Sequence, residues 1–524
     1  MTSVQAATVA VLGCGTMGAG IAQAALAAGY AVTLYDVSAA ALDRARERIG
    51  AGLGKQGQPD AAGRLQPTTD LARIAGAALV VEAAPEQLDL KRDLLARAGA
   101  ICPAPSVLAS NTSSLPIAAL AAACPDPRRV AGLHFFNPVH RMALVEVVRA
   151  LATDDATVDT LRGFAARLGK TAVLARDTPG FVVNRVARPY YGEALRLLGE
   201  GAATIEAIDR ALERAGGFPL GPFALMDLIG VDVNFAVTRS IYEQSFGEPR
   251  YRPHQIQQQM TQAGRLGRKT GRGFYDYSSQ QSAVSGRRSG SELPAADRRL
   301  LAGSVLIGQG SWAPGIAELC AAAGLAIAEE LPYGQGGGDV RAAFVTAGRG
   351  EGAVDQAMIL DRQLPAETPI FAQCADTAAC DLAALLHSPE RLVGFDGLFM
   401  GGAVTLVATP VLAEPVRAAA DALVRAAGRE PIWIADAPAL IVPRVVAMLA
   451  NEAAFALDEG VADRETLDLA MRLGANHPSG PLDRGAALGY DRVVALLDHL
   501  RAEYGEERYR AAPALRRAAR VGRM

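Results

Sequence analysis

Along the first 180 residues, short apolar runs alternate with longer segments whose apolar positions recur every three or four residues, the pattern of buried parallel strands linked by helices. TVAVLG (8–13) predicts a core strand, AGIAQAALAAG (19–29) a helix ending at Gly29, and AVTLYD (31–36) a second strand. Residues 39–75 interrupt the alternation, with a charged helix over RARERI, a glycine-rich turn around GLGKQGQ, and then PTTDLARI. Parallel-sheet patterning resumes in AALVVEAAPE (77–86), followed by a helix over LDLKRDLLARAG and a strand in SVLASNTSSL (106–115) that ends in an Asn/Thr/Ser cluster. GLHFFNPVHRMALVEVV (132–148) holds two apolar stretches whose spacing suits neighbouring strands joined by a turn. Beyond DTPGFVVNR the period becomes helical, in RVARPYYGEALRLLGEG, TIEAIDRALERAG and GPFALMDLIGVDVNFAVTRSIYEQ, with a Pro/Gly turn at GGFPLGPF. SSQQSAVSGRRSGSELP (278–294) is polar, lacks bulky apolar residues and predicts a linker.

The pattern then starts again. VLIGQGSWAPGIAELCAAAG (305–324) repeats the opening strand, turn and helix, with Gly308, Gly310, Gly315 and Gly324 standing 295 residues after Gly13, Gly15, Gly20 and Gly29, and Ala313 in place of Gly18. Farther on the offset is 259: Asp177, Pro179, Arg185 and Glu193 match Asp436, Pro438, Arg444 and Glu452. The second copy is 36 residues shorter between these anchors, which removes much of the excursion at 39–75 and its neighbouring strands. It also lacks an Asn/Thr/Ser cluster in FAQCADTAACDL, has Asp396 and Gly397 in the region matching the His134 strand, and replaces Asn184 by Pro443. Residues that shape the chain are kept, and residues with useful side-chain chemistry are not.

Composition narrows the function. A chain of 524 residues, half of them apolar, supplies several cores, and a formal charge of only −3 gives no general affinity for nucleic acid. No apolar run is long and charge-free enough to span a bilayer, and MTSVQAATVAVLGCG lacks a basic n-region and a cleavage site, so a cytoplasmic location is expected. Six cysteines without a CxxC pair suit reduced thiols and give no metal signature.

The first turn reads Gly13-x-Gly15-x-x-Gly18, between a strand and a helix. Gly13 allows the tight bend, Gly15 lets a pyrophosphate approach the backbone, and Gly18 lets the helix pack closely, while the helix start, with Thr16 and Met17, offers amide donors. Asp36, at the end of the second strand, is placed for a ribose diol and would repel a 2′-phosphate, which favours NAD over NADP. His134 lies in a core-like strand 12 residues before Glu146. A carboxylate against the imidazole would fix its tautomer and make a general base, and a satisfied structural histidine would read the same way. Lys55 could meet an anionic ligand or be an exposed loop lysine.

At this point the sequence resembles the L-3-hydroxyacyl-CoA dehydrogenase family. The likeness is carried by GxGxxG at 13–18, VEAAPE at 81–86, SNTSSL at 110–115, GLHFFNP at 132–138, LVEVV at 144–148, KTAVLARDTPGFVVNR at 170–185, GGFPLGPFALMDLIGVD at 216–232 and GRKTGRGFYDY at 267–277. The resemblance, which covers residues 4–277, implies a Rossmann-like α/β domain that binds NAD and an all-helical domain after it, and the repeated offsets add a degenerate second copy of both. It makes His134 the general base and Glu146 its orienting partner, puts Ser113 against the substrate hydroxyl, and has Asn184 orient the substrate. It gives cofactor roles to Asp36, Glu86, Lys91, Asn111 and Asn137 beside the glycine turn. Around Lys55 the chain departs from the family by an excursion that reads as shortened, which weakens the inference of CoA contacts there.

The expected divisions are an NAD-binding domain over 1–184, a helical domain over 185–277, a linker over 278–295, a degenerate Rossmann-like domain over 296–435 and a second helical domain over 436–524. The expected activity is NAD-dependent oxidation of an L-3-hydroxyacyl-CoA thioester, short-chain or 3-hydroxyadipyl-CoA, the latter fitting phenylacetate catabolism. A dehydrogenase of a free hydroxy or sugar acid, and a noncatalytic NAD-binding module, remain the alternatives. The second half is expected to pack as a tethered pseudo-partner, with further self-association left open.

Overall fold

The computed structural model describes residues 8–278, 304–307, 313–328, 340–345 and 352–524. The linker and the second-copy glycines Gly308 and Gly310 lie outside the described residues. The first sheet has eight strands: β1 (Thr8–Leu12), β2 (Ala31–Tyr35), β3 (Leu65–Thr68), β4 (Ala77–Glu82), β5 (Val107–Ser110), β6 (Val130–Phe135), β7 (Leu144–Arg149) and β8 (Thr171–Arg176). Their order is β3-β2-β1-β4-β5-β6-β7-β8, and every neighbouring pair is parallel except β6 with β7. Helices cover both faces, so the central strands are mostly apolar on both sides: Val9, Val11, Val81 and Leu133 are all buried.

Two expectations for the excursion need correction. The GLGKQGQ segment is largely helical, because the helix begun at Ala39 runs on to Lys55. Its buried stripe of Leu42, Ala45, Ile49 and Leu53 keeps a helical spacing through the glycines, and a Cβ at Gly52 would lie 2.4 Å from Gln23 Oε1. Packing against the first helix therefore overrides the low helix propensity of glycine. PTTDLARI hides the end of an edge strand, β3, whose Pro67 is tolerated because an edge needs fewer ladder bonds.

The second sheet repeats the design with seven strands: β9 (Ser304–Ile307), β10 (Ala326–Ala328), β11 (Val340–Val345), β12 (Ile370–Gln373), β13 (Leu392–Phe395), β14 (Ala403–Ala408) and β15 (Glu430–Ala435). Their order is β10-β9-β11-β12-β13-β14-β15, again with one antiparallel pair, β13 with β14. Shortening the copy did not remove the strands around the excursion, since β10 still pairs with β9 as β2 does with β1. Among the described residues only β3 has no counterpart.

The chain forms two compact units, and each mixes the two copies. One contains the chain as far as Ala187 together with 243–245 and 456–480; the other contains Arg188–Tyr242, Phe246–Phe455 and Pro481–Met524. In the first, helix Arg464–Gly474 of the second copy lies on the first sheet. A Cβ at Gly474 would come within 2.6 Å of Leu144 and 2.8 Å of Val183, and the Arg176 amide donates to the Val461 carbonyl at 2.9 Å. In the second, the Ala435 amide donates to the Ala202 carbonyl at 2.8 Å, the same bond with the copies exchanged.

Helices of both copies also meet inside the second unit around two fully enclosed glutamates. Glu193 receives Arg444 at 2.9 Å, Arg508 at 2.6 Å and the Tyr509 hydroxyl at 3.1 Å. Glu452, its counterpart, receives Arg250 at 2.7 Å and the Tyr251 hydroxyl at 2.6 Å. Burial works to raise the Glu193 carboxyl, but Arg508, Arg444 and Arg196 overcome it and hold the pKa down at about 2.

Candidate active site

Strand register builds the centre of the site. His134 and Glu146 are direct partners across the antiparallel β6–β7 pair, so their side chains leave the same face, and His134 Nδ1 lies 2.6 Å from Glu146 Oε2. The other carboxylate oxygen accepts the amides of Val182 and Val183 at 3.1 and 2.9 Å. Those amides are aimed by the bend at Gly180 and Phe181, both left-handed, with φ of 79° and 49°. Phe136 and Phe181 pack on the imidazole with ring centroids 4.6 and 5.9 Å away. His134 thus has Nδ1 committed to an acceptor, which leaves Nε2 as the nitrogen that exchanges protons.

Asn184 follows on the same turn and donates to the Ser113 carbonyl at 3.4 Å, which ties the SNTSSL loop to the histidine pair. Glu86 gathers that loop, accepting the Thr112 hydroxyl at 2.5 Å, the Ser113 amide at 3.0 Å and the Ser114 hydroxyl at 2.9 Å. Asn111 Oδ1 accepts the Phe135 amide at 2.8 Å, fastening the loop to the end of β6. Lys91 is buried behind the loop, 2.8 Å from Glu82 and 3.3 Å from Glu86. Asn137 is exposed at the head of the next loop, and Lys55 is exposed at the end of its helix.

Several organising residues escaped the sequence reading. Asp177 accepts the amides of Ile117 at 3.0 Å and Ala118 at 2.7 Å and so fixes the far end of the SNTSSL loop. Gln244 Nε2 donates to the Ser114 carbonyl at 2.6 Å. Asp177 did carry a signal, its repetition as Asp436, which likewise accepts the Cys380 amide at 2.7 Å. Repetition in the copy that lacks the histidine–glutamate pair marks it as scaffold.

At the other end of the site, a Cβ on Gly13, whose φ is 99°, would stand 2.7 Å from the Ala83 carbonyl, and one on Gly18 would stand 1.9 Å from the Gly13 carbonyl. A Cβ on Gly15 would meet nothing within 4 Å, so that glycine faces open space. Thr16 begins the helix, and Met17 packs against the core. Asp36 accepts the Cys14 amide at 2.9 Å and the Ser38 amide at 3.0 Å. Partial burial opposes ionisation of Asp36, but these hydrogen bonds and the Cys14 thiol outweigh it and hold the carboxyl below its usual range. A glycine turn open at Gly15, a helix start and an ionised carboxylate at the next strand end together fit the phosphates and ribose of NAD.

The equivalent corner of the second sheet is chemically different. The pair matching His134 and Glu146 is Asp396 and Thr405, joined by a backbone bond of 2.9 Å, and Gln373 accepts the Gly397 amide as Asn111 accepts that of Phe135. Burial pushes the Asp396 carboxyl up to about 7, although the amides of Leu398 and Phe399 pull it down. A folded-state pKa above the unfolded one gives stability that is complete below about pH 4 and is lost as pH rises through about 7. Asp396→Asn should therefore be more stable relative to the parent at pH 8.5 than at pH 5.5, as read from thermal melting at both; equal differences would contradict the assignment. Pro443, in the place of Asn184, sits in the first turn of helix Val442–Asp458, where a missing amide hydrogen costs nothing.

Known proteins resemble this chain over nearly its whole length. Residues 8–178 match the family model for the NAD-binding domain of 3-hydroxyacyl-CoA dehydrogenase, and 180–277 with 440–524 match that for its C-terminal domain. The chain is 39% identical over 521 residues to the 3-hydroxyadipyl-CoA dehydrogenase of Escherichia coli K12, covering 98% of this chain and 97% of that one. It is 42% identical over 275 residues to a probable 3-hydroxybutyryl-CoA dehydrogenase of Deinococcus radiodurans, covering 51% of this chain and 99% of that one. A crystal structure of an Escherichia coli 3-hydroxybutyryl-CoA dehydrogenase superposes with a TM-score of 0.81 at 38% identity and covers 98% of both chains. This chain belongs to the 3-hydroxyacyl-CoA dehydrogenase family. It is an NAD-dependent oxidoreductase with a degenerate second copy of its fold. No helix among the described residues is long and apolar enough to cross a membrane.

Proposed function

We propose that this chain oxidises L-3-hydroxyadipyl-CoA to the 3-oxo thioester, with His134 as general base. The observation that carries the chemistry is the enclosed His134–Glu146 pair at 2.6 Å, tied through Asn184 to the Ser113 loop. His134 Nε2 takes the hydroxyl proton, and Glu146 stabilises the imidazolium so formed. Ser113 and Asn184 orient the oxygen, while Phe136 and Phe181 keep water from the imidazole. NAD, when bound, accepts the hydride from the carbinol carbon. Gly13, Gly15, Gly18 and Asp36 would hold its phosphates and ribose, and Glu86, Asn111 and Asn137 would contact it beside the SNTSSL loop.

The choice of a dicarboxylic acyl chain rests on the two-copy organisation shared over nearly full length with the Escherichia coli 3-hydroxyadipyl-CoA enzyme. A short-chain reading has its own support, the 3-hydroxybutyryl-CoA name of the solved full-length structure. The second copy acts as a tethered packing partner, because each compact unit takes elements from both copies. Six free cysteines suit a reducing, cytosolic location.

NADH formation with L-3-hydroxyadipyl-CoA and L-3-hydroxybutyryl-CoA tests the substrate. We expect kcat/KM to favour the dicarboxylic thioester by about tenfold or more, the worth of one good charged contact. A preference for the butyryl thioester overturns that choice, and no turnover of any CoA thioester overturns the whole reading.

A further inference from the structure

Beneath the SNTSSL loop lies a carboxylate, Glu82, to which neither the proton transfer nor cofactor binding gives a role. Glu82, the last residue of β4, is fully buried, as are Lys91 and Ser110. Its Oε1 accepts Lys91 Nζ at 2.8 Å and the Ala84 amide at 2.6 Å, and its Oε2 accepts the Ser110 hydroxyl at 2.5 Å. Ser110 Oγ in turn accepts the Thr112 amide at 3.2 Å. Lys91 also donates to the Ala84 carbonyl at 3.0 Å and reaches Glu86 at 3.3 Å. Glu82 therefore touches the loop by two routes, through Ser110 and through Lys91 and Glu86.

Two buried carboxylate oxygens and an ammonium are costly to desolvate, and an apolar filling of the same volume would serve a fold as well or better. The second copy performs that replacement. Glu82 and Ser110 are register partners across β4 and β5, and the matching partners across β11 and β12 are Val345 and Ala372, both buried. The sheet forms either way. The network is present where the loop carries Ser113 and absent where Ala375 stands in its place.

We infer that Glu82 is a positioning residue: it holds Lys91 and Ser110 so that Glu86 and the Thr112 amide set the loop that presents Ser113 to the substrate hydroxyl. This inference rests on the reading of Ser113 given above. With Glu82 neutralised, the Lys91 ammonium draws Glu86 inward, away from its contacts with Thr112, Ser113 and Ser114, and the loop loosens.

The test is Glu82→Gln in the full chain, with two readouts. Amide hydrogen exchange at Thr112–Ser114 in the ligand-free protein should quicken by about tenfold or more. Turnover should fall by about tenfold to a hundredfold in kcat, the cost of a displaced orienting group, with KM for the thioester moving far less. Glutamine keeps an acceptor for the Ser110 hydroxyl, so the loss of charge should act through Lys91 and Glu86, and Glu82→Gln in a Glu86→Gln background should lower kcat by less than about threefold. Additive losses, or unchanged exchange, overturn the proposal. If the single variant fails to fold, the apolar pair of the second copy is imported as Glu82→Val with Ser110→Ala, and Lys91→Met removes the ammonium that they would leave without its carboxylate. That variant should fold and show the same fast exchange and low kcat. Full activity in it, or failure of both variants to fold, overturns the proposal by showing a network needed by neither or by the fold alone. Should the parent protein oxidise no CoA thioester, the exchange result still decides the role of Glu82, so the two readings fail separately.

Discussion

His134→Gln lowers kcat by about a thousandfold, within the range that removing a positioned general base costs, and leaves NAD affinity and melting temperature close to those of the parent. The amide of glutamine can keep a hydrogen bond to Glu146 but cannot take a proton from the substrate. The carboxylate of Glu146 stays satisfied by Val182 and Val183 at 3.1 and 2.9 Å, so the substitution leaves no unpaired buried charge. Turnover by NADH absorbance and NAD binding by calorimetry, measured on one preparation, check both halves of the expectation. A loss below tenfold would move the base to another residue. A lost NAD affinity would mean that the imidazole matters for architecture instead.

The second large effect is on stability. Glu193→Ala should destabilise the second compact unit by about 3–5 kcal/mol, the usual cost of removing one partner from a buried ion cluster. Arg508, almost wholly enclosed, would lose its carboxylate partner, and of its two carboxylates Arg444 would keep only Glu200, 3.0 Å away. Urea denaturation measures it as a lowered midpoint, and a change under 1 kcal/mol would show that the arginines find other acceptors. The parent carries the same physics in its acid response. Because the folded pKa of Glu193 is depressed to about 2, its contribution is present above the ordinary glutamate range and fades as pH falls toward 2.

How far these effects could be read in advance depended on the distance over which each residue acts. The strand and helix alternation, the glycine turn, Asp36 and the His134–Glu146 pair were legible because each is set by local period or by partners on adjacent strands. The helix through GLGKQGQ was not, since its stability comes from Gln23 packed on Gly52, a tertiary contact. β3 was not, being four residues of an edge strand with a proline inside. Lys91 was identified, but its burial behind Glu86 needs the closure of β4, β5 and the following helix. Glu82 and Asp177 look like ordinary strand-end acids in sequence, and only their partners at Ser110, Ile117 and Ala118 separate them from a solvated residue. The repeat was visible as constant offsets, whereas the crossing of elements between copies was not, because an offset records likeness and says nothing about contact.

That crossing bears on heredity. A spare copy whose chemistry has decayed would ordinarily be shed, since deleting it shortens the gene at no loss. Here a deletion at the linker would also strip helix Arg464–Gly474 from the first sheet, baring Leu144 and Val183 where Gly474 now lies. Asp396 and Thr405 can thus differ from His134 and Glu146 without loss to the fold, while Gly474 is needed where it lies against Leu144 and Val183. The duplication becomes a ratchet: side chains for chemistry are free to vanish from the second copy, but the copy itself has become structural property of the first.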